Sequence, residues 1–155
     1  MADQLRRAFA GNAWHGPNIQ ELLKDVTNEQ ANARPITAVH SIWELTLHIE
    51  VWVRAATASI QGKPIPAYVE NMRPEDNWPV IRDTSVGGWN QTRRNVLRSA
   101  EELASAIEKF GDERLGETVP GRDYDFTQLF HGIVQHSLYH AGQIAILKKT
   151  LQTPA

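Results

Sequence analysis

The sequence has 155 residues, 41% of them hydrophobic and 22% charged, with 16 Lys+Arg against 18 Asp+Glu and no cysteine. That length fits a single domain over residues 1–155 with room for a real core. A net charge of −2 offers no basic excess to capture nucleic acid, and without cysteine there is no disulfide, no thiolate nucleophile and no cysteine-bound metal. No apolar run approaches the ~20 residues needed to cross a bilayer, and Met1-Ala2-Asp3-Gln4-Leu5-Arg6-Arg7 lacks the apolar segment of a signal peptide. The expectation is a cytoplasmic protein with neither nucleic acid nor membrane as partner, in which any metal is held by histidine and carboxylate.

In chain order, residues 3–10 start a helix on Leu5 and Phe9, and Gly11-Asn12 interrupts it. Trp14-His15-Gly16-Pro17 reads as a turn, with Trp14 expected in the core and Pro17 opening the run from Asn18 to Val26. Thr27-Asn28-Glu29-Gln30 matches a capping box for a short helix that Arg34-Pro35 stops. The second long helix runs from about Ser41 to Ile60 on Ile42, Leu45, Ile49, Trp52 and Ala56, with His48 among them and Glu44 one turn earlier.

Residues 61–84 carry Pro64, Pro66, Pro74 and Pro79 and are too long for a helix hairpin, where ~2–8 residues are normal. They predict an overhand crossover that sets the second and third helices parallel, pinned by Tyr68, Met72 and Trp78. The third helix spans about Ser85 to Phe110, burying Trp89, Val96, Leu97, Ala100 and Leu103, with its Arg and Glu residues as a solvated face. Tyr124-Asp125-Phe126 suggests a short extended piece before the last helix, Leu129 to Leu147. The pattern predicts an all-α four-helix bundle.

His136 and His140 interrupt the apolar face of the last helix at i, i+4, where two rings lie on one side and can converge on one ion. His48 is the third histidine on a core-facing stripe. Each taken singly fits a hydrogen-bonded core histidine. Together, three neutral imidazoles and an open position make a common catalytic zinc set, and similar sets bind nickel, iron or manganese. Glu44 and Gln143, each one turn from a proposed ligand, are candidates to orient an imidazole or a bound water. His40 reads as a cap or surface residue, His131 points away from the pair, and His15 belongs to the turn. A di-iron bundle would need Glu-x-x-His pairs, and a zinc protease would need His-Glu-x-x-His; here His136 is followed by Ser137. Neither a Gly-x-Ser-x-Gly elbow nor a phosphate-binding glycine loop occurs.

The stretches His-Ser-Ile-Trp-Glu-Leu-Thr-Leu-His at 40–48 and Gly-Ile-Val-Gln-His-Ser-Leu-Tyr-His-Ala-Gly-Gln-Ile at 132–144 resemble the signature helices of the DinB-like superfamily. The Trp14-His15-Gly16-Pro17 turn and Pro35 also resemble its members, so the likeness covers nearly the whole chain. It implies a bundle of up-down-down-up topology and a metal triad on His48, His136 and His140. It also implies a divalent ion such as zinc or nickel, and a homodimer. Characterised relatives include thiol-dependent transferases and isomerases that use bacillithiol or mycothiol. One departure is Ser137, where close relatives often show Asp.

Two functions follow as expectations. In the first, a triad-bound ion activates a low-molecular-weight thiol cosubstrate, or water, toward a small-molecule substrate; the thiol must be external because the chain has no cysteine. In the second, the bundle is a non-catalytic, metal-stabilised binding module of a stress response, in which loss of a ligand mainly lowers stability.

Overall fold

A computed structural model describes residues 1–65 and 73–152. Its helices begin where short polar side chains can take up orphan backbone N–H groups. Asn18, Thr27 and Ser41 each form a full capping box, with Glu21, Gln30 and Glu44 reaching back to the cap N–H. Ser85 accepts from Gly88 N–H, and Asp125 accepts from Gln128 N–H. The resulting elements are α1 (Ala2–Ala10), α2 (Ile19–Leu23), α3 (Asn28–Asn32), α4 (Ile42–Ile60), α5 (Pro74–Asn77), α6 (Val86–Glu108) and α7 (Phe126–Gln152). Gly62 just beyond α4, at φ 82°, takes a conformation that a side chain would resist.

No strand occurs among the described residues; the extended piece expected at 124–126 is one antiparallel bridge, Thr118 to Asp125, and Phe126 already opens α7. The last helix therefore starts three residues earlier than its apolar periodicity suggests, because Asp125 supplies the cap.

The four long helices α1, α4, α6 and α7 pack around one core, and side-chain contacts give their directions. Trp43 near the start of α4 donates its indole N–H to Thr92 Oγ1 near the start of α6 at 2.9 Å, and farther along Glu50 feels the charges of Arg98 and Glu102. α4 and α6 thus run parallel. Arg6 pairs with Glu101 at 2.8 Å and with Glu108, whereas Phe9 and Gly11 lie beside Leu97, so α1 opposes α6. On α7, His140 meets His48 and the earlier His136 meets Trp52, so α7 opposes α4. The topology is up-down-down-up, as the long crossover implies.

Trp43 and Trp89, both buried, meet at 5.2 Å and 54°, and Trp89 donates to the Val26 carbonyl at 2.7 Å. Full burial of an apolar side chain of this kind stabilises by ~1.5–3 kcal/mol. The charged face of α6 does more than meet solvent: besides the Arg6 pairs, Arg93 donates to the Leu23 and Lys24 carbonyls at 3.1 and 2.9 Å, closing the end of α2.

Trp14 is not in the core; it is 100% exposed. Asn18 Nδ2 donates to the Gly11 carbonyl at 2.8 Å, which ties the two ends of the turn together and leaves residues 12–17 looped outward. In the crossover, Ile65 is buried and its N–H donates to the Pro120 carbonyl at 3.1 Å. Trp78 pins the crossover to α4, while Tyr68 and Met72 lie outside the described residues. No helix among the described residues is long and apolar enough to cross a membrane.

Candidate metal centre

The antiparallel packing of α4 on α7 sets His48 opposite the i, i+4 pair. His48 Nε2 lies 3.0 Å from His136 Nε2, and His140 Nε2 lies 3.1 Å from the same atom. Among the described residues these three form the group of potential metal-ligating side chains, with all ligand atoms within 4.8 Å of one another. His48 and His140 are buried and His136 is half-buried.

The outer nitrogens decide what the inner ones can do. His48 Nδ1 lies 2.8 Å from the Asn77 carbonyl oxygen, which can only accept, so Nδ1 carries the proton and Nε2 presents a lone pair. His140 Nδ1 lies 2.9 Å from Gln143 Oε1, which gives the same tautomer. Two lone pairs therefore point at His136 Nε2. A proton there can serve one of them well, and without it three lone pairs face one another. His136 Nδ1 is buried and has no hydrogen-bond partner among the described residues.

A cation among the three nitrogens removes the conflict, and the spacing suits one. Zn–N bonds of ~2.0–2.1 Å in tetrahedral array place the nitrogens ~3.3 Å apart, within a few tenths of an ångström of the observed 3.0 and 3.1 Å. The three imidazoles could hold a metal ion.

Burial keeps the imidazoles neutral, as ligation requires. It pushes His48 down to about 4, against the Asn77 hydrogen bond and with help from the neighbouring His140 and His40. Burial likewise pushes His136 down to about 3, with added repulsion from His140 and His48, and it lowers His140.

Aromatic packing fixes the rings. Trp78 is sandwiched between His40, at 3.6 Å and 7°, and His48, at 3.9 Å and 8°. Trp52 presents an edge to His136 at 6.0 Å and donates its indole N–H to Asn77 Oδ1 at 3.0 Å. Asn77 thus holds His48 through its backbone and Trp52 through its side chain.

Of the two residues expected to orient ligands, Gln143 touches His140 directly. Glu44 does not reach the trio: its carboxylate takes the Ser41 N–H at 2.8 Å and pairs with Arg34. Burial alone would raise the Glu44 pKa, but the Ser41 and Arg34 interactions outweigh it and hold the group low. Its i, i+4 relation to His48 is overruled by the capping box, which turns the side chain back to the helix start. Its nearest link to the centre is His40 Nδ1 at 3.7 Å.

His15 and His131 are exposed, away from the centre. Ser137 is buried and donates to the Ile133 carbonyl at 2.8 Å, so its hydroxyl serves the helix backbone. Trp52 is a wall of the site as well as a core residue. Asn77 and His40 were not foreseen as parts of it. A backbone carbonyl 29 residues from His48 leaves no signature in side-chain spacing, and His40 lies outside the helix whose periodicity marks His48.

A cavity of about 330 Å³ opens beside His136, lined in part by Trp52, Gly132 and Ile133. A larger one of about 700 Å³, along α4 near Glu50 and Pro79, includes none of the three histidines among its described lining residues.

The family profile described as the DinB superfamily matches residues 13–144, which include all three histidines and both signature stretches. The chain belongs to the DinB superfamily. No curated protein and no solved structure gives a significant match. The region matched by the DinB-superfamily profile contains the three histidines whose ligand atoms lie close enough together to hold a metal ion.

Proposed function

We propose that the chain is a cytoplasmic metal-dependent enzyme in which His48, His136 and His140 hold one divalent ion, and that it joins an external low-molecular-weight thiol, or water, to a small-molecule substrate. The observation that carries the proposal is the convergence of the three Nε2 atoms, with two tautomers committed by Asn77 and Gln143 to face the centre. A bound ion of this kind supplies Lewis acidity that lowers the pKa of a thiol or water at its open position. The chain's own residues do the rest. Asn77 and Gln143 fix the imidazole tautomers, Trp78 holds the His48 ring in plane, and Trp52 packs its edge against His136. The thiol comes from a cosubstrate because the sequence has no cysteine. We include a homodimer in the proposal on the exposed Tyr139 and Ile146, one heptad apart on α7.

One observation favours a non-catalytic, metal-stabilised binding module instead: among the described hydrogen-bond partners of the three histidines, no carboxylate is present to move a proton. Thiol consumption separates the two. Zinc- and nickel-loaded protein is mixed with bacillithiol, mycothiol or glutathione and an aryl halide electrophile, and free thiol is followed over time. Faster loss than with His136→Ala supports the enzyme. Rates equal to that variant with every thiol, and no hydrolysis of test esters and amides, would leave the binding module.

A further inference from the structure

Over most of its length α7 meets solvent without a charged side chain. Residues 126–147 include no Asp, Glu, Lys or Arg, whereas the solvated face of α6 holds Arg94, Arg98, Glu101 and Glu102. Depletion of charge together with exposed aromatic residues marks the centre of a protein interface. Tyr139 and Ile146 of α7 are 67% and 60% exposed, and Trp14, wholly exposed, lines a groove on the flank of the helix with Val134 and Leu138. Large apolar groups gathered on one face point to a surface that something covers.

The spacing names the partner. Gly132, Gln135, Tyr139, Gly142 and Ile146 recur at alternating steps of three and four residues, the seam of a helix that packs along another. All but the half-buried Gly132 are exposed. Glycine is a poor helix former, and nothing described within the chain calls for it: a Cβ on Gly132 or on Gly142 meets no atom within 4 Å. A second helix passing close outside would use that space. One two-fold axis midway between residues 140 and 141 sets Tyr139 of an antiparallel copy over Gly142 and Ile146 over Gln135, because both pairs share that midpoint. A parallel copy would instead oppose Tyr139 to Tyr139 and leave Gly142 facing Gly142. The same axis keeps both Trp14 rings on one flank of the paired helices. At ~150–250 Å² per aromatic side chain, covering Trp14 and Tyr139 in both copies removes roughly 500–800 Å² from water. The rest of the seam, ~21 Å long at ~1.5 Å per residue, brings the total to the ~1,000 Å² that a stable interface needs.

We propose that α7 pairs antiparallel with α7 of a second copy of the chain about this axis, so that each copy closes the other's candidate metal centre. The partner's Ile146 enters the hole formed by Gly132, Gln135, His136 and Tyr139, against one of the three histidines. The partner's Tyr139 sits on Gly142 and beside Gln143, which holds His140. The inference deepens the homodimer of the proposed function by fixing its face. The pairing itself requires no metal, whereas closure of the centre rests on that function.

Sedimentation equilibrium on the full chain, metal-free and zinc-loaded, should give twice 17.4 kDa in both forms. Ile146→Glu, which alters an exposed residue, should keep wild-type helicity and weaken the dimer at least about tenfold. Cross-linking then tests the register, since the chain has no cysteine of its own. Gln135 and Ile146 lie ~16 Å apart along one helix, beyond the ~7 Å limit for a disulfide. A double variant, Gln135→Cys with Ile146→Cys, can therefore bridge only between copies. With diamide it should form covalent dimers, as should a mixture of the two single variants, while neither single variant alone should. A monomeric wild type, an Ile146→Glu dimer as tight as wild type, or cross-linking of Gln135→Cys with itself would each overturn the pairing. Retention of a monomer on phosphatidylcholine vesicles would overturn it too and give the face to a lipid surface. Zinc should pass to EDTA faster from Ile146→Glu than from the wild-type dimer, and equal rates would overturn the closure. A cross-linked dimer that binds no zinc would uphold the pairing while removing the metal reading.

Discussion

Gln143 and Glu44 stand in the same relation to the triad in the sequence, one turn from a histidine, yet the structure gives them different work. Gln143→Leu removes the acceptor 2.9 Å from His140 Nδ1, so that the ring can rotate and the Nδ1–H is left half-buried without its partner. Loss of such a supporting hydrogen bond typically costs ~10–100-fold in metal affinity, or about 1.4–2.8 kcal/mol at 1.4 kcal/mol per decade. Glu44→Ala instead removes the reciprocal half of a capping box and the Arg34 pair. That should lower folding stability by about 1 kcal/mol and leave zinc affinity within about twofold, because no ligand is released. Competition with a chromophoric zinc chelator gives the affinities, and urea unfolding in EDTA gives the stabilities. The reasoning fails if Gln143→Leu keeps wild-type affinity, or if Glu44→Ala loses more affinity than Gln143→Leu.

Other consequences follow from the same contacts. Trp78→Ala removes ring stacking on both faces, at 3.6 and 3.9 Å; at ~0.5–1.5 kcal/mol per pair, the metal-free protein should lose about 2 kcal/mol in urea, and retention of full stability would argue against the sandwich. The metal-free protein should also be acid-sensitive. The folded state holds His48 at about 4 and His136 at about 3, while the unfolded chain takes up protons below ~6.5. Stability should therefore be insensitive to these groups above that pH, fall as pH drops from 6.5 toward 4, and level only when the folded imidazoles protonate; a flat urea midpoint between pH 7.5 and 5 would contradict the burial argument. Finally, Trp14→Ser should change stability by less than ~0.5 kcal/mol, since Trp14 is fully exposed. Trp89→Phe should cost about 2 kcal/mol by stranding the Val26 carbonyl and leaving a gap, and the reverse order of the two in unfolding assays would refute the placement of these rings.

What was legible in the sequence is what local spacing encodes. The apolar stripes around Leu45, Ile49 and Trp52 on α4, and around Ile133 and Ile144 on α7, mark two buried faces, and the histidines on those faces are the three whose Nε2 atoms meet. The parallel arrangement of α4 and α6 followed from a connection too long for a hairpin. Non-local contacts were not legible. Trp14 reads as a core aromatic by composition, but Asn18 clamps the turn from outside it. Glu44 satisfies both an i, i+4 pairing with His48 and an N3 capping position, and only the fold shows that the cap prevails. Asn77 acts through a backbone oxygen, which no residue pattern reports.

The central claim is that His48, His136 and His140 jointly bind one ion. Its most direct test is metal content by elemental mass spectrometry on protein purified without a nickel column, for wild type and for His48→Ala, His136→Ala and His140→Ala, before and after zinc titration and dialysis. The account predicts close to one equivalent in wild type and a small fraction of that in each variant, with all four proteins still helical by circular dichroism. Wild type that stays empty after titration with zinc, nickel and manganese, or variants that each retain a full equivalent, would contradict it.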